Sequence, residues 1–319
     1  MNKNVLEFDA AFEMVKQETK RILHSGPSLI SNYTGYLSDA TGKMMRASAL
    51  LAASMNEEGM VPYDAVIFAS AVEILHLATL VHDDIMDDAD TRRGLITLQK
   101  KAGKRTAVIC GDYLLAAAIN ELSKVVTDEK YKKFNFSRYV ESIALGELRQ
   151  NINNRNFRLK TFRYLSIIDG KTAALFEAAY HAGALAGDAD EQQIKLFRKL
   201  GRYTGIIFQL TDDCIDFENT KEIALKPVMS DFQNGVVTLP LIHTFSKNPS
   251  LIEKAEKDQL STEEMYQQVM KAGGVEFTHQ LAKGYYEKAT RTANSLSLNK
   301  MQQKILLGLL ERAYVGLKK

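Results

Sequence analysis

Cysteine is almost missing from this sequence: Cys110 and Cys214 are the two present. A pair so far apart cannot build a disulfide framework or a cysteine-rich zinc site, and it fits a reducing compartment. Proline is nearly as scarce, five in 319 residues, at Pro27, Pro62, Pro227, Pro240 and Pro249. Because proline tends to end helices, the long proline-free stretches favour a helical chain. An excess of one charge is also lacking, since 41 Lys and Arg stand against 39 Asp and Glu. That balance gives no global drive toward nucleic acid or anionic lipid, so any anion site must be local. No run of membrane-spanning length is free of charge, and the acidic start from Met1 to Ala11 lacks the apolar stretch of a signal peptide. The expectation is a soluble, cytoplasmic protein with no nucleic-acid partner and no stable membrane insertion.

What is present points to a folded chain. Hydrophobic residues at 45% and charged residues at 25% exclude disorder. Apolar residues recur at i, i+3, i+4 in runs such as Ala65-Phe68-Ala69-Val72-Leu75 and Ile194-Phe197-Leu200-Tyr203-Ile206-Ile207-Leu210. Alanine, the best helix former, is frequent. Breaks are expected near Ser25-Gly26-Pro27, Asn56 to Pro62, Asp88 to Thr97, Gly187-Asp188, Glu218 to Asp231, Lys247-Asn248-Pro249 and Gly273-Gly274. None is a long linker, and Ala224 to Thr238 reads as a functional loop. Several runs are apolar on more than one face, which places them as buried helices of a large bundle. The expected organisation is a single all-α domain over residues 1–319.

Two aspartate clusters carry the chemistry. The first, His82-Asp83-Asp84-Ile85-Met86-Asp87-Asp88-Ala89-Asp90-Thr91-Arg92-Arg93-Gly94, closes a strongly apolar helical run. Asp83 and Asp87 are four apart and share a helix face, where carboxylates repel. The backbone dipole also disfavours aspartate at a helix C-terminus. A hard divalent cation would offset that cost, since magnesium takes one or two carboxylates together with substrate phosphate oxygens and water. A solvated acidic helix end is the plain alternative. In the second cluster, Phe208-Gln209-Leu210-Thr211-Asp212-Asp213-Cys214-Ile215-Asp216-Phe217, Asp212 and Asp216 again share a face. Two such clusters, each closing a buried helix, suggest facing helices that clamp a metal cluster completed by diphosphate oxygens.

The positive charges match. Arg92 and Arg93 follow the first cluster, and Lys226 follows the second. Gly42-Lys43-Met44-Met45-Arg46 opens an apolar run, which puts Lys43 and Arg46 on adjacent helical faces, and Lys171-Thr172 starts the run Ala173 to Ala182. Arginine reads phosphate bidentately and lysine reads it as a point charge. A surface role is ordinary for any one of the six; together, at the mouths of apolar helices, they favour diphosphate binding. His76, one turn before the first cluster, could donate to a diphosphate oxygen or sit satisfied in the core. His82 reads as structural and Cys214 as a packing residue.

The ordered motifs resemble those of the trans-isoprenyl diphosphate synthase, or polyprenyl synthetase, family, most closely the catalytic subunits of medium-chain hexaprenyl and heptaprenyl diphosphate synthases. The resemblance runs from about Thr41 to Pro240 through Gly42-Lys43-x-x-Arg46, His82-Asp83-Asp84-x-x-Asp87 with Arg92-Arg93-Gly94, Gly111-Asp112, Gly146-Glu147, Lys171-Thr172-Ala173, Phe208-Gln209-x-x-Asp212-Asp213-x-x-Asp216, Lys226-Pro227 with Asp231, and Thr238-Leu239-Pro240. It implies an antiparallel helical bundle around a deep apolar cavity, with the two Asp motifs across its mouth. Asp83, Asp87 and Asp212 would bind magnesium, Asp216 acting through water, with three ions when substrate is bound. Arg92, Lys171, Thr172, Gln209 and Lys226 would hold or polarise the allylic diphosphate, the last four as catalytic residues. Lys43, Arg46, His76 and Arg93 would hold isopentenyl diphosphate. A homodimer is implied, or a heteromer with a small regulatory subunit.

Some positions depart from the family pattern. Thr41, Met44, Ala47 and Leu225 stand where Gly, Arg, Pro and Gly are common, and Val236 where many members carry a Lys toward the allylic diphosphate. Product length is expected to follow Ala78 and Thr79, five and four residues before Asp83, with Leu75 about one turn below. A bulky aromatic at one of the first two positions closes the cavity in short-chain members. Here both are small, so the product should exceed farnesyl length, with six or seven isoprene units expected. A shorter-chain synthase, a terpene cyclase and a non-catalytic regulatory subunit are the competing readings. The second Asp-rich motif and the Lys43/Arg46 pair count against a cyclase, and the retained aspartates count against a regulatory subunit.

Overall fold

Four of the five scarce prolines mark helix starts rather than helix interiors, and Pro227 lies outside the described residues. In a computed structural model, which describes residues 5–40, 42–218 and 229–316, Pro27, Pro62 and Pro249 each stand at the N-cap of a helix, and Pro240 lies in a first turn. A fixed φ and a missing N–H cost nothing there, because the first turn has no intrahelical acceptor to satisfy. The fold is all-α, as the composition and periodicity lead one to expect. The chain divides into two compact units, one made of Met1–Asn135, Ala178–Arg198 and Leu296–Leu309, the other of Phe136–Glu177, Lys199–Ser295 and Leu310–Lys319.

The first unit is organised on the helix Tyr63–Met86. Its length and composition would suffice to cross a membrane, yet 72% of its most apolar stretch is buried in the protein, so it is a core helix. Helices Phe8–His24, Met45–Ala53 and Lys104–Ser123 pack on it. The last buries Ala107, Gly111, Leu114, Ala118 and Leu122, a three-to-four-residue stripe whose small members allow close approach. Phe68 meets the rings of Tyr131 and Phe134 edge-on, with centroids at 4.9 and 5.4 Å. Two short antiparallel pairs complete the unit: Val5–Leu6 with the distant Val61–Pro62, and the hairpin of Thr91–Arg92 with Leu95–Ile96. Periodicity does not reveal them, because two-residue strands are too short to show alternation.

The second unit contains helices Phe136–Ile152 and Thr161–Ile168, then a π-helical turn, Asp169–Ala173. Most of the helix Glu191–Glu218 follows, with Leu239–Lys247, Thr262–Ala272 and Gly274–Asn294. Phe157, Tyr164, Ile206, Leu210, Phe245 and Val275 are among its core residues. Ser261 and Glu264 form a reciprocal capping box, which fixes the start of Thr262–Ala272. The expected break at Gly273-Gly274 coincides with a helix boundary.

Candidate active site

At the end of Tyr63–Met86 the three motif aspartates divide by direction. Asp83 is half-buried and Asp87, whose N–H donates to the Asp83 carbonyl at 2.8 Å, is exposed. Asp84 points inward and accepts from Arg92 Nε at 2.5 Å. Arg92 reaches back because the chain reverses in the Thr91–Ile96 hairpin, whose turn residues Arg93 and Gly94 both have positive φ, 52° and 80°. That pair of left-handed residues suits the right-handed twist of a two-residue hairpin.

A cationic group, half-buried at Arg46 and Arg92 and exposed at Arg93, lies in the same unit. The Glu73 carboxylate accepts the Ala47 N–H at 3.0 Å. Burial holds the Arg46 guanidinium down to about 10, with the nearby Arg93 charge lowering it further and Glu73 opposing. Partial desolvation likewise lowers Arg93, exposed as the residue is overall, helped by Arg92. His76 lies well below its ordinary range, through burial first and then through Arg46, Arg93 and Arg92. Its imidazole is therefore neutral near pH 7 and adds no positive charge to the group. Lys43 is exposed. The spacing leads one to expect Lys43 and Arg46 on adjacent faces of one helix, but the two do not share a helix. Met44 adopts a left-handed conformation, φ 46°, and the helix begins only at Met45.

In the second unit Lys171 and Thr172 ride on the π turn, a distortion of a kind often found at functional positions. Arg202 pins the start of the turn through Asp169 at 2.5 Å, and Lys171 Nζ lies 2.9 Å from Glu147. Thr172 Oγ1 donates to Gln209 Oε1 at 2.6 Å. Gln209 Nε2 donates to Asp213 at 2.8 Å, and Tyr164 Oη also donates to Asp213. Burial pushes the Asp213 carboxyl up to about 7, against the opposing pull of these donors. Asp212 is exposed, and half-buried Asp216 accepts from Ser230 N and Oγ at 3.1 and 3.2 Å and from Asp231 N at 3.2 Å. Val236 is half-buried, and Lys226 lies outside the described residues.

Gly146 is required by this arrangement. A Cβ there would lie 2.2 Å from Lys171 N and 2.6 Å from Gly170 C, both backbone atoms. Gly146→Ala must therefore displace the π turn, and should cost about 2 kcal/mol by urea denaturation. Unchanged stability would show that the turn yields freely.

The structure thus places Lys43, Arg46, His76, Arg92, Arg93, Asp83, Asp87, Leu75, Ala78 and Thr79 in the first unit. Lys171, Thr172, Gln209, Asp212 and Asp216 belong to the second. Sequence reasoning passed over Glu73 and Tyr164, and quoted Asp84, Glu147 and Asp213 within motifs without giving them a role. Glu73 had a signal: it is the only charge from Ala65 to Val81, and an acid inside an apolar helix needs a partner. Tyr164 had none. Cys214 is buried with its thiol pushed up by burial, so it is a packing residue.

Among the described residues, no three His, Cys, Asp or Glu side chains converge on a preformed metal site. The candidate donors are two pairs of hard carboxylates, which fits magnesium, an ion that relies on substrate phosphate and water to complete its shell. Residues 27–272 match the family model described as polyprenyl synthetase. The chain belongs to the polyprenyl synthetase family. As a polyprenyl synthetase it is 31% identical to heptaprenyl diphosphate synthase component 2 of Bacillus subtilis, over 89% of this chain and 82% of that one. It is 32% identical to octaprenyl diphosphate synthase of Haemophilus influenzae, over 74% and 70% of the two chains. With geranylgeranyl diphosphate synthase of Saccharolobus solfataricus it shares 29% identity over 94% of each. Among solved structures, heptaprenyl diphosphate synthase from Staphylococcus aureus gives a TM-score of 0.89 at 28% identity, covering 98% of this chain and 99% of that one. Polyprenyl synthase from Caulobacter crescentus, complexed with calcium and isoprenyl diphosphate, gives 0.85 at 28% identity, covering 97% and 95%.

Proposed function

We propose that this prenyltransferase condenses isopentenyl diphosphate with an allylic prenyl diphosphate and extends the chain beyond farnesyl length, to six or seven isoprene units. The transferase activity goes with the family; the product length is carried by one observation. The turn before Asp83 holds two small side chains, Ala78 and Thr79, and Thr79 Oγ1 is turned back onto the His76 carbonyl at 2.8 Å. A geranylgeranyl product is the second reading, favoured by Leu75 and Ala78, each only 2% exposed and already packed. Incubation with magnesium, isopentenyl diphosphate and farnesyl diphosphate, with products resolved by length, separates the two. Ala78→Tyr should shorten the main product by at least one isoprene unit; an unchanged distribution would remove the side-chain-size argument.

In this reading Lys43, Arg46, His76 and Arg93 hold isopentenyl diphosphate. Arg92, Lys171, Thr172, Gln209 and Lys226 serve the allylic diphosphate. Magnesium, bound through Asp83, Asp87, Asp212 and Asp216, would supply neutralising charge to the diphosphate. The cationic side chains stabilise the negative charge that develops on the departing diphosphate, so the allylic carbon–oxygen bond can ionise. The isopentenyl double bond then attacks the allylic carbon, and holding both diphosphates in one site makes that encounter effectively unimolecular. No side chain here is an obvious base, so the released diphosphate takes the proton. Val236, in place of a family lysine, leaves the allylic site with one cation fewer.

The assembly in this reading is a homodimer in the cytoplasm, with a small regulatory subunit as the alternative partner. Leu145, Leu148 and Ile152 form an exposed apolar stripe on Phe136–Ile152, and Val108, Ile109 and Ile119 are exposed on Lys104–Ser123. Light scattering at micromolar concentration should give twice 35.7 kDa. A monomer mass, without another chain present, would remove the homodimer.

A further inference from the structure

Asp213 is the hub of a buried chain of hydrogen bonds that the proposed reaction does not use directly. Tyr164 and Asp213 are 4% and 2% exposed. The Asp213 carboxylate accepts from Tyr164 Oη, from Gln209 Nε2 at 2.8 Å and from the Leu239 backbone N–H. With Tyr164 Oη and the Leu239 N–H also donating to it, Asp213 takes the NH2 end of the Gln209 amide. The carbonyl end is thereby turned to Thr172, whose hydroxyl donates to it at 2.6 Å. The Thr172 proton is committed to Gln209, and its lone pairs remain available as acceptors. An Asn at position 213 would offer a donor to Gln209 and allow the opposite amide orientation. Tyr164 in turn supplies one of the three donors that fix the carboxylate in place. Its segment, Thr161–Ile168, carries no substrate-binding residue of the proposed mechanism.

We infer that Tyr164 and Asp213 are positioning residues that set the amide orientation of Gln209 and, through it, the hydroxyl of Thr172. The inference rests on the assignment of Thr172 and Gln209 to the allylic site. Tyr164→Phe keeps the ring and removes one hydrogen bond. It should lower kcat about tenfold, leaving unchanged the KM for isopentenyl diphosphate and the magnesium concentration giving half-maximal rate. Asp213→Asn should lower kcat further by reversing the amide. Gln209→Ala should lower kcat on its own, and adding Tyr164→Phe to it should cause no further loss, because the group being positioned is gone.

If the two losses multiply in the double variant, Tyr164 does not act through Gln209 and the inference fails. It also fails if Tyr164→Phe raises the magnesium requirement, which would place its effect on the metal ligands. Should Tyr164→Phe prove unfolded by circular dichroism, Asp213→Asn in the Gln209→Ala background applies the same test. Wild-type kcat in Gln209→Ala would overturn the assignment of Gln209 itself. Slow Gln209→Ala alongside fast Tyr164→Phe and Asp213→Asn would overturn only the positioning roles.

Discussion

Asp83→Ala and Asp212→Ala should each lower kcat by about 10³-fold while leaving the helices folded. The size follows from the role proposed for both residues, since losing one preorganised electrostatic contact to a developing charge typically costs two to three orders of magnitude. Their surroundings make the stability half of the expectation. Asp212 is exposed and Asp83 half-buried, so neither substitution opens a core cavity. Substitutions at such positions usually change stability by less than about 1 kcal/mol. The neighbouring aspartates should behave differently. Asp84→Ala strips a 2.5 Å partner from Arg92, and Asp213→Ala leaves three donors facing a void. Both should melt earlier. Steady-state rates across a magnesium titration, with circular dichroism melts of all four variants, give the comparison. Near-normal turnover in Asp83→Ala or Asp212→Ala would refute their assignment to the metal.

That contrast between adjacent aspartates shows what could be read without coordinates. The i, i+4 spacing of Asp83 with Asp87, and of Asp212 with Asp216, depends only on helix geometry, so it was legible. Asp84 and Asp213 were visible as residues, but not as inward-facing hubs, because their partners are distant or lie beyond a chain reversal. Arg92 comes back to Asp84 through a hairpin with two residues per strand, and Tyr164 is 49 residues from Asp213. Helix boundaries at Pro27, Pro62, Pro240 and Pro249 were legible for a local reason, the fixed proline φ. Breaks at Gly103 and between Ser123 and Phe136 had weaker local signals and went unread. The left-handed Met44, which takes Lys43 off the Arg46 helix, contradicts its own residue preference and only the surrounding packing can impose it. The all-α class, the family and the candidate residues were therefore within reach. The hydrogen bonds that orient those residues were not.

Arg46→Met should raise the KM for isopentenyl diphosphate by about 100-fold, with little effect on kcat and no loss of stability. Arg46 Nε is shielded from solvent, and burial holds its guanidinium at about 10 instead of the ordinary 12.5. That depression means the folded protein bears a cost for keeping the charge. It amounts to at most about 3 kcal/mol, less for the part of the side chain that still meets water. Glu73 is pushed upward by burial even with Arg46 and Arg93 beside it, so it can take up a proton when Arg46 is removed. Methionine fills similar volume and needs no counter-charge. A residue that holds the fold together would give the reverse pattern, a lower melting point with substrate affinity preserved. In the wild type, inorganic diphosphate should raise the melting temperature, because it binds the folded state and adds negative charge where Arg46, Arg92 and Arg93 outnumber Glu73 and Asp84. In Arg46→Met that increment should shrink while the ligand-free melting point stays level or rises. A marked fall in the ligand-free melting point, with an unchanged isopentenyl diphosphate KM, would make Arg46 a structural residue.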